Sequence, residues 1–324
     1  MELRHSTVQT VIHARGGGRF GNQLLRFAHW LAWVLDAPSA RRVVDVAFWP
    51  YARLFATWRL HPGCVYPWGE RWLDGLAALR SVLPDRVLRH ADPRVSALLV
   101  GGGHLWPTTG VVELDDASGE SCDLDVDGFG SGHAHVVCSG WRFEAWGALE
   151  RHQARVRQLL LPATAPWLSA SRHVEALRRR HDVLVGLFVR RGDYAQWASG
   201  RHYHGWHEYV AWTRQICALF PGRRVGVLLA GDERFPLERW ADLPVELASG
   251  TLNRGGHWFQ SFLELSACDH IVAPPSTFAA CASFLGGSPL WPLRSAGQVL
   301  SESQPISGGL IAAHRDPDFS KAVH

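Results

Sequence analysis

Between residues 162 and 295 the chain alternates short apolar runs with amphipathic ones, and this alternation restricts the fold more than any other feature. The order is helix 171–180, strand 183–189, helix 206–219, strand 224–230, helix 258–267, strand 270–273 and helix 277–285. Strands separated by helices run parallel, joined by right-handed crossovers that pack helices on the sheet. The run Val183-Leu184-Val185-Gly186-Leu187-Phe188-Val189 has no polar side chain and reads as a buried strand.

The first 161 residues begin in the same way. A strand at 7–14 leads into Arg15-Gly16-Gly17-Gly18-Arg19-Phe20-Gly21-Asn22, and a helix at 23–35 follows, its apolar residues at three- and four-residue spacings until Pro38. Further strands are expected at 43–47, 97–100 and 135–138, with a helix at 148–161 that ends before Pro162. The acidic, Gly-rich stretch 112–132 reads as loop or short hairpin. Beyond Ser295 the periodicity is lost. We therefore expect an N-terminal domain at 1–161, a C-terminal one at 162–295 and a peripheral tail at 296–324.

Composition removes several function classes. At 47% hydrophobic and 19% charged residues, the chain is neither disordered nor collagen-like. No apolar run approaches the roughly 18 residues of a membrane span. Residues 1–9 lack the apolar core of a secretory signal, so the expected location is the cytoplasm. Helix 23–35 is apolar enough for core or for peripheral contact with a membrane, and both stay open. With 33 Lys+Arg against 30 Asp+Glu, the charge of +3 is too slight to indicate a nucleic-acid partner. All the cations but Lys321 are Arg, whose planar fork grips phosphate in a bidentate manner. The 16 Trp and 18 His are read as ordinary packing or as the lining of a sugar-handling cleft. Six cysteines without a CxxC pair read as free, mostly buried thiols.

Two segments carry chemistry on their own residues. Strand, Gly-rich turn and helix at 7–35 bring backbone N–H groups and a helix N-terminus towards an anion. At the end of strand 183–189 stand Arg190-Arg191-Gly192-Asp193-Tyr194. If the strand continued, alternate side chains would point to opposite faces, so one arginine reaches a phosphate while the other pairs with Asp193, Asp232 or Glu233. The alternative is a surface ion-pair cluster of little energetic weight. Ser276 and Thr277, at a strand-to-helix junction, read either as a helix N-cap or as a phosphate contact.

Residues 17–23 (Gly-Gly-Arg-Phe-Gly-Asn-Gln) resemble the N-terminal motif shared by bacterial α-1,2-fucosyltransferases, core α-1,6-fucosyltransferases and protein O-fucosyltransferases. Phe188-Val189-Arg190-Arg191-Gly192-Asp193 is similar to that family's His-x-Arg-Arg-x-Asp, with Tyr194 following as in the α-1,2 group. Ser139-Gly140-Trp141-Arg142-Phe143-Glu144 resembles its Gly-Tyr-Phe-Gln-Ser region, and residues 262–278 resemble the segment that ends in Asn-Ser-Thr-Phe-Ser. The likeness runs in family order over about residues 11–290. It implies an α/β fold of GT-B-like type, two Rossmann-type domains facing a central cleft. It also implies a GDP-fucose donor, a glycan acceptor, inversion at the anomeric carbon, and no metal or separate cofactor. Carried over by residue, it implies a catalytic group of Arg190, Asp193 and Asn22. Donor binding falls to Arg190, Arg191, Gly18, Gly21, Asp232, Ser276 and Thr277, and Arg190 corresponds to the diphosphate-binding arginine.

Where the chain departs from the family, other readings stay open. Phe188 replaces the motif's His, Ala279-Ala280-Cys281 replaces Ser-Trp-Trp, and Ser261 stands where an acid is common. These departures admit another GDP-deoxysugar donor, or a homologue that binds nucleotide or glycan without turnover. The acceptor base is unassigned, with His202, His204, His207 and Glu208 as candidates. The same three histidines could instead be zinc ligands. Asp123-Leu124-Asp125-Val126-Asp127 has the letters of a metal-binding Asp-x-Asp motif within a polar loop, and Gly101-Gly102-Gly103-His104 reads as a turn or a second ligand-facing loop.

Overall fold

A computed structural model describes residues 9–45, 47–52, 54–56, 109–115, 118, 120–126, 129–130, 132–301, 305–306 and 309–316. Strand 97–100, the turn at 101–104, Asp127 and Cys64 lie outside these residues. The chain divides into two units, Met1–Leu161 and Pro162–His324.

In unit 1, strand β1 (Gln9–Arg15) runs through the Gly-rich turn into helix α1 (Phe20–Asp36) and back to β2 (Arg41–Asp45), which pairs parallel to β1. Helix α1 is apolar around most of its circumference and is accordingly buried through its middle. Phe27 stacks on Phe48 at 4.2 Å, and Trp30 lies against Phe143 at 5.3 Å. A short helix α2 (Trp49–Ala52) follows, then β3 (Thr109–Glu113), β4 (Cys122–Asp123), β5 (His135–Ser139), β6 (Phe143–Glu144) and helix α3 (Trp146–Leu159). The main sheet has the order β2-β1-β5-β3, all parallel, and β4 pairs parallel with β6. The expected loop or hairpin at 112–132 is thus corrected at its start: Val112 and Glu113 complete an edge strand. Such a strand carries polar side chains on its solvent side, and this hid it.

Unit 2 places its most apolar strand in the middle. Helix α4 (Thr164–Arg178) precedes β7 (Val183–Val189), α5 (Trp206–Ala218), β8 (Val225–Gly231), β9 (Val245–Leu247), α6 (Trp258–Ser266), β10 (His270–Ala273), α7 (Thr277–Gly286) and β11 (Leu290–Pro292). The order β11-β10-β7-β8-β9 is parallel throughout, and every residue of β7 is buried. Helix α4 starts earlier than expected because Pro166 sits in its first turn, where the missing N–H has no intrahelical partner to lose. Strands β9 and β11, three residues each at the sheet edges, are too short to show periodicity.

Among the described residues after Ser295, several pack on unit 2, which the loss of periodicity did not lead us to expect. Trp212 Nε1 donates to the Gln298 carbonyl, Leu300 N donates to Gln215 Oε1, and Leu300 joins the core. Helix α8 (Leu310–Arg315) buries Leu310, Ile311 and Ala313, and Arg294 pairs with Asp316. The polar residues here tie an irregular strap to α5 and give no periodic signal.

In unit 1, residues 16–19 and 140–142 leave the carboxyl ends of the neighbouring strands β1 and β5. Unit 2 contains a switch point, where successive connections leave in opposite directions and open a crevice at the strand carboxyl ends; it lies between β7 and β10, with residues 190–193 and 274–277.

Candidate functional site

Strand β7 stops at Val189, so Arg190 and Arg191 leave the sheet as loop residues. Arg190 Nη2 donates to Asp193 Oδ2 at 2.9 Å and lies 2.8 Å from its Oδ1, and Nη1 faces Asp232 Oδ2 at 3.1 Å. Its side chain keeps 17% exposure, so an incoming anion can reach it. Asp232 Oδ1 accepts the Arg191 N–H at 3.0 Å; this carboxylate therefore fixes the loop and Arg190 together.

Arg191 has a different job. Its Nε donates to Glu233 at 3.0 Å, Nη1 to the His204 carbonyl at 2.6 Å and Nη2 to the Tyr203 hydroxyl at 2.5 Å. The guanidinium also lies 4.6 Å from the Tyr203 ring and 4.4 Å from the Trp206 ring. Both arginines therefore pair with acids, whereas alternation along a continuing strand led us to expect one. Arg191 braces residues 203–206, and Arg190 remains the accessible cation.

Tyr194 joins the two sides of the switch point. Its hydroxyl donates to the Pro275 carbonyl at 2.5 Å, its ring stacks on Trp197 at 4.7 Å, and Arg190 lies 5.5 Å from the ring. Burial pushes the phenol well above its ordinary range, so it stays protonated and keeps donating. Ser276 Oγ accepts the Phe278 N–H at 3.2 Å and caps α7, with Thr277 as the first helical residue. Phe188 is buried and stacks on Phe278 at 4.9 Å, so an apolar contact to α7 occupies the motif's histidine position.

In unit 1 the turn is shaped by glycine. Gly18 has φ +77°, and a Cβ there would lie 2.6 Å from that of Asn22, so Asn22 packs against bare backbone. Gly21 is buried in the first turn of α1. Gln23 Nε2 donates to the Gly16 and Gly17 carbonyls at 3.0 and 2.7 Å. Beneath the turn, Arg26 and Asp45 are 1% and 2% exposed and form an ion pair at 3.0 Å. His13 accepts the Trp30 indole N–H at Nδ1 and donates from Nε2 to the Gly140 carbonyl at 2.7 Å, which ties β1 to the loop that leaves β5.

No family model and no curated protein matches this chain. Solved structures do. A mutant form of Arabidopsis thaliana FUT1 in complex with GDP aligns with a TM-score of 0.55 at 15% identity, over 94% of this chain and 74% of that one. The fold is of the GT-B type. NodZ α-1,6-fucosyltransferase, an enzyme of Bradyrhizobium, co-crystallised with GDP, aligns at 0.48 with 15% identity over 90% of this chain and 97% of its own. POFUT1 in complex with GDP-fucose aligns at 0.47 with 12% identity over 90% and 99%.

Within this GT-B fold, several residues raised by the sequence have structural work. Asp125 accepts the Gly147 and Ala148 N–H groups at 2.6 and 3.0 Å, which makes it the cap of α3, and Asp123 accepts the Asp125 N–H. His202 and His204 are buried, His204 edge-on to Trp212 at 4.9 Å with its pKa lowered by burial, while His207 is exposed. Glu208 accepts the Gly205 N–H at 2.6 Å and so satisfies the donor that precedes the first turn of α5. Among the described residues no three His, Cys, Asp or Glu side chains are grouped to hold a metal ion.

One group escaped the sequence reading. Glu264 on α6 is fully buried and accepts from Ser249 N at 2.7 Å, Ser249 Oγ at 2.5 Å and His173 Nδ1 at 2.9 Å. It thereby fixes the loop that leaves β9. The acid missing at residue 261 has a counterpart one turn along the same helix, although its oxygens are already committed. Its signal was a lone Glu in an apolar helix face, Phe262-Leu263-Glu264-Leu265.

Proposed function

We propose that this chain is an inverting glycosyltransferase that transfers L-fucose from GDP-fucose to a hydroxyl of a glycan, in the manner of an α-1,2-fucosyltransferase. The observation that carries the reading is the half-open Arg190, held by Asp193 and Asp232 at the switch point of unit 2 beside the N-terminus of α7. In an inverting displacement the acceptor hydroxyl attacks the anomeric carbon from the face opposite the leaving diphosphate. The charge that develops on GDP then needs fixed donors already in place.

Arg190, Arg191, Asp193, Asp232 and Glu233 bring two cations against three carboxylates, so the diphosphate enters by exchange. The Asp193 contact gives way, since that carboxylate is 40% exposed while Asp232 is 20% exposed and anchored to the backbone. Asp193, released from Arg190, then presents its carboxylate beside the bound donor. Ser276, Thr277 and the first amides of α7 add donors for the phosphates. On the motif resemblance, unit 1 is read as the acceptor-side domain, with Gly18 and Gly21 assigned to the donor and Asn22 to catalysis.

A second reading, another GDP-deoxysugar or a binding protein without turnover, is favoured by Phe188 and by Ser261, whose buried hydroxyl offers no carboxylate to a base. Thermal shifts with GDP, GDP-fucose, GDP-mannose, UDP and ADP separate the readings, because a ligand that binds only the native state raises its stability with its affinity. GDP and GDP-fucose are expected to stabilise the parent clearly more than Arg190→Ala, and fucosyl transfer to a glycan panel is expected to follow. A shift with UDP or ADP alone replaces the donor; no shift with any nucleotide ends the transferase reading.

A further inference from the structure

We propose that Arg26 is a positioning residue that makes the Gly-rich turn of unit 1 a site for a phosphate-class anion, by holding a buried positive charge against the underside of Gly16. This deepens the assignment of Gly18 and Gly21 to the donor. It rests on groups that no part of that assignment uses.

Arg26 lies one helical turn beyond Asn22 on α1, so both side chains share a face. Asn22 packs on Gly18 and Arg26 packs on Gly16: a Cβ on Gly16 would lie 1.9 Å from Arg26 Nη1 and 2.8 Å from Cζ. The guanidinium is thus fitted to a residue without a side chain. Its Nη2 end is fixed by both Asp45 oxygens at 3.0 and 3.2 Å, and Asp45 also accepts the Phe48 N–H at 3.0 Å. The other end, Nε and Nη1, is buried and makes no hydrogen bond among the described residues. A guanidinium that served only as a tie would use those donors, since buried N–H groups left unpaired are destabilising. The pair is instead an oriented dipole in a dry interior, with its positive end towards the turn, where screening is weak.

The turn itself is aimed the right way. Gln23 draws the Gly16 and Gly17 carbonyls towards α1. In a trans peptide the next N–H points opposite to the carbonyl, so the Gly17 and Gly18 amides face away from the helix, towards an anion seated on the turn. Backbone donors above and a buried cation below form an anion seat at the carboxyl end of β1.

The test uses the full chain and inorganic pyrophosphate as the probe. In an Arg190→Ala background, which disables the cation of unit 2, pyrophosphate is expected to bind measurably by calorimetry. Adding Arg26→Gln with Asp45→Asn removes both charges without leaving a lone buried ion, and is expected to preserve the melting temperature while weakening binding about ten-fold or more, as for loss of one charge-assisted contact. Gly16→Ala keeps both charges and is expected to weaken binding comparably by pushing the guanidinium off the turn, so the proposal stays testable if the double change fails to fold. Pyrophosphate affinity that is absent in Arg190→Ala, or unchanged by either added change, overturns the proposal. The readout involves no transfer. Arg26-dependent pyrophosphate binding in a protein that does not use GDP-fucose would sink the donor assignment and leave this one standing.

Discussion

Arg26 and Arg190 each lie beside the loop that leaves the carboxyl end of a parallel strand, β1 in unit 1 and β7 in unit 2, and each is paired with aspartate. The first is 1% exposed and held in the interior; the second keeps 17% of its side chain open and is shared between two carboxylates. The difference teaches what decides whether an ion pair is structural or exchangeable. A buried pair cannot lose a partner without stranding a charge, whereas an accessible one can trade a carboxylate for a phosphate.

The comparison breaks most directly at Arg26. Arg26→Ala leaves Asp45 alone in the core, where burial already raises its pKa, and should cost about 3–5 kcal/mol. A scanning melt that shows no clear loss of stability would mean that the pair is not truly interior. Arg190→Ala should act in the opposite sense, with a melting temperature near the parent's and kcat for fucosyl transfer lowered about 10²–10³-fold. If its main effect is instead unfolding, the two arginines are of one kind.

Smaller changes sharpen the contrast. Tyr194→Phe removes the hydrogen bond to Pro275 that ties the Arg190 loop to α7, and should cost about 0.5–1.5 kcal/mol of stability while raising the KM for donor more than it lowers kcat. Asp125→Ala removes the cap of α3 and should cost about 1 kcal/mol with transfer unaffected; a metal-dependent loss of activity would revive the Asp-x-Asp reading.

The smallest effect concerns pH. Burial lowers the pKa of His204, so the unfolded chain binds its proton first on acidification. Its stabilising contribution is present above the unfolded value of about 6.5 and is lost as pH falls through the lower folded value. Melts at pH 7.5 and 5.5 should show less acid loss in His204→Gln than in the parent, and equal losses would remove His204 from the account.

Much of the fold was legible because its determinants are local. The span of β7 could be read to the residue, since seven apolar residues before Arg190 leave no alternative to a central strand. Strands β3, β9 and β11 were not legible, being short or at an exposed edge. At the site, Arg190 leaves the end of β7 as a loop residue, and of the two readings left open for Ser276 the structure shows the cap of α7. The commitment of Arg191 to Glu233, Tyr203 and His204 depends on residues that only folding brings to it.

What the sequence by itself determined is the class of fold and the places where loops leave the strands, because periodicity and glycine placement act over a few residues. Tertiary structure decided which charges are held and which are offered. Asp45 meets Arg26 across 19 positions and nothing in either neighbourhood announces the pairing, whereas Asp232 was one of three acids offered to the adjacent arginines and only folding set it against Arg190. The value of a charge depends on how much water surrounds it and which counter-charge lies within reach, and both are set only when distant segments pack together.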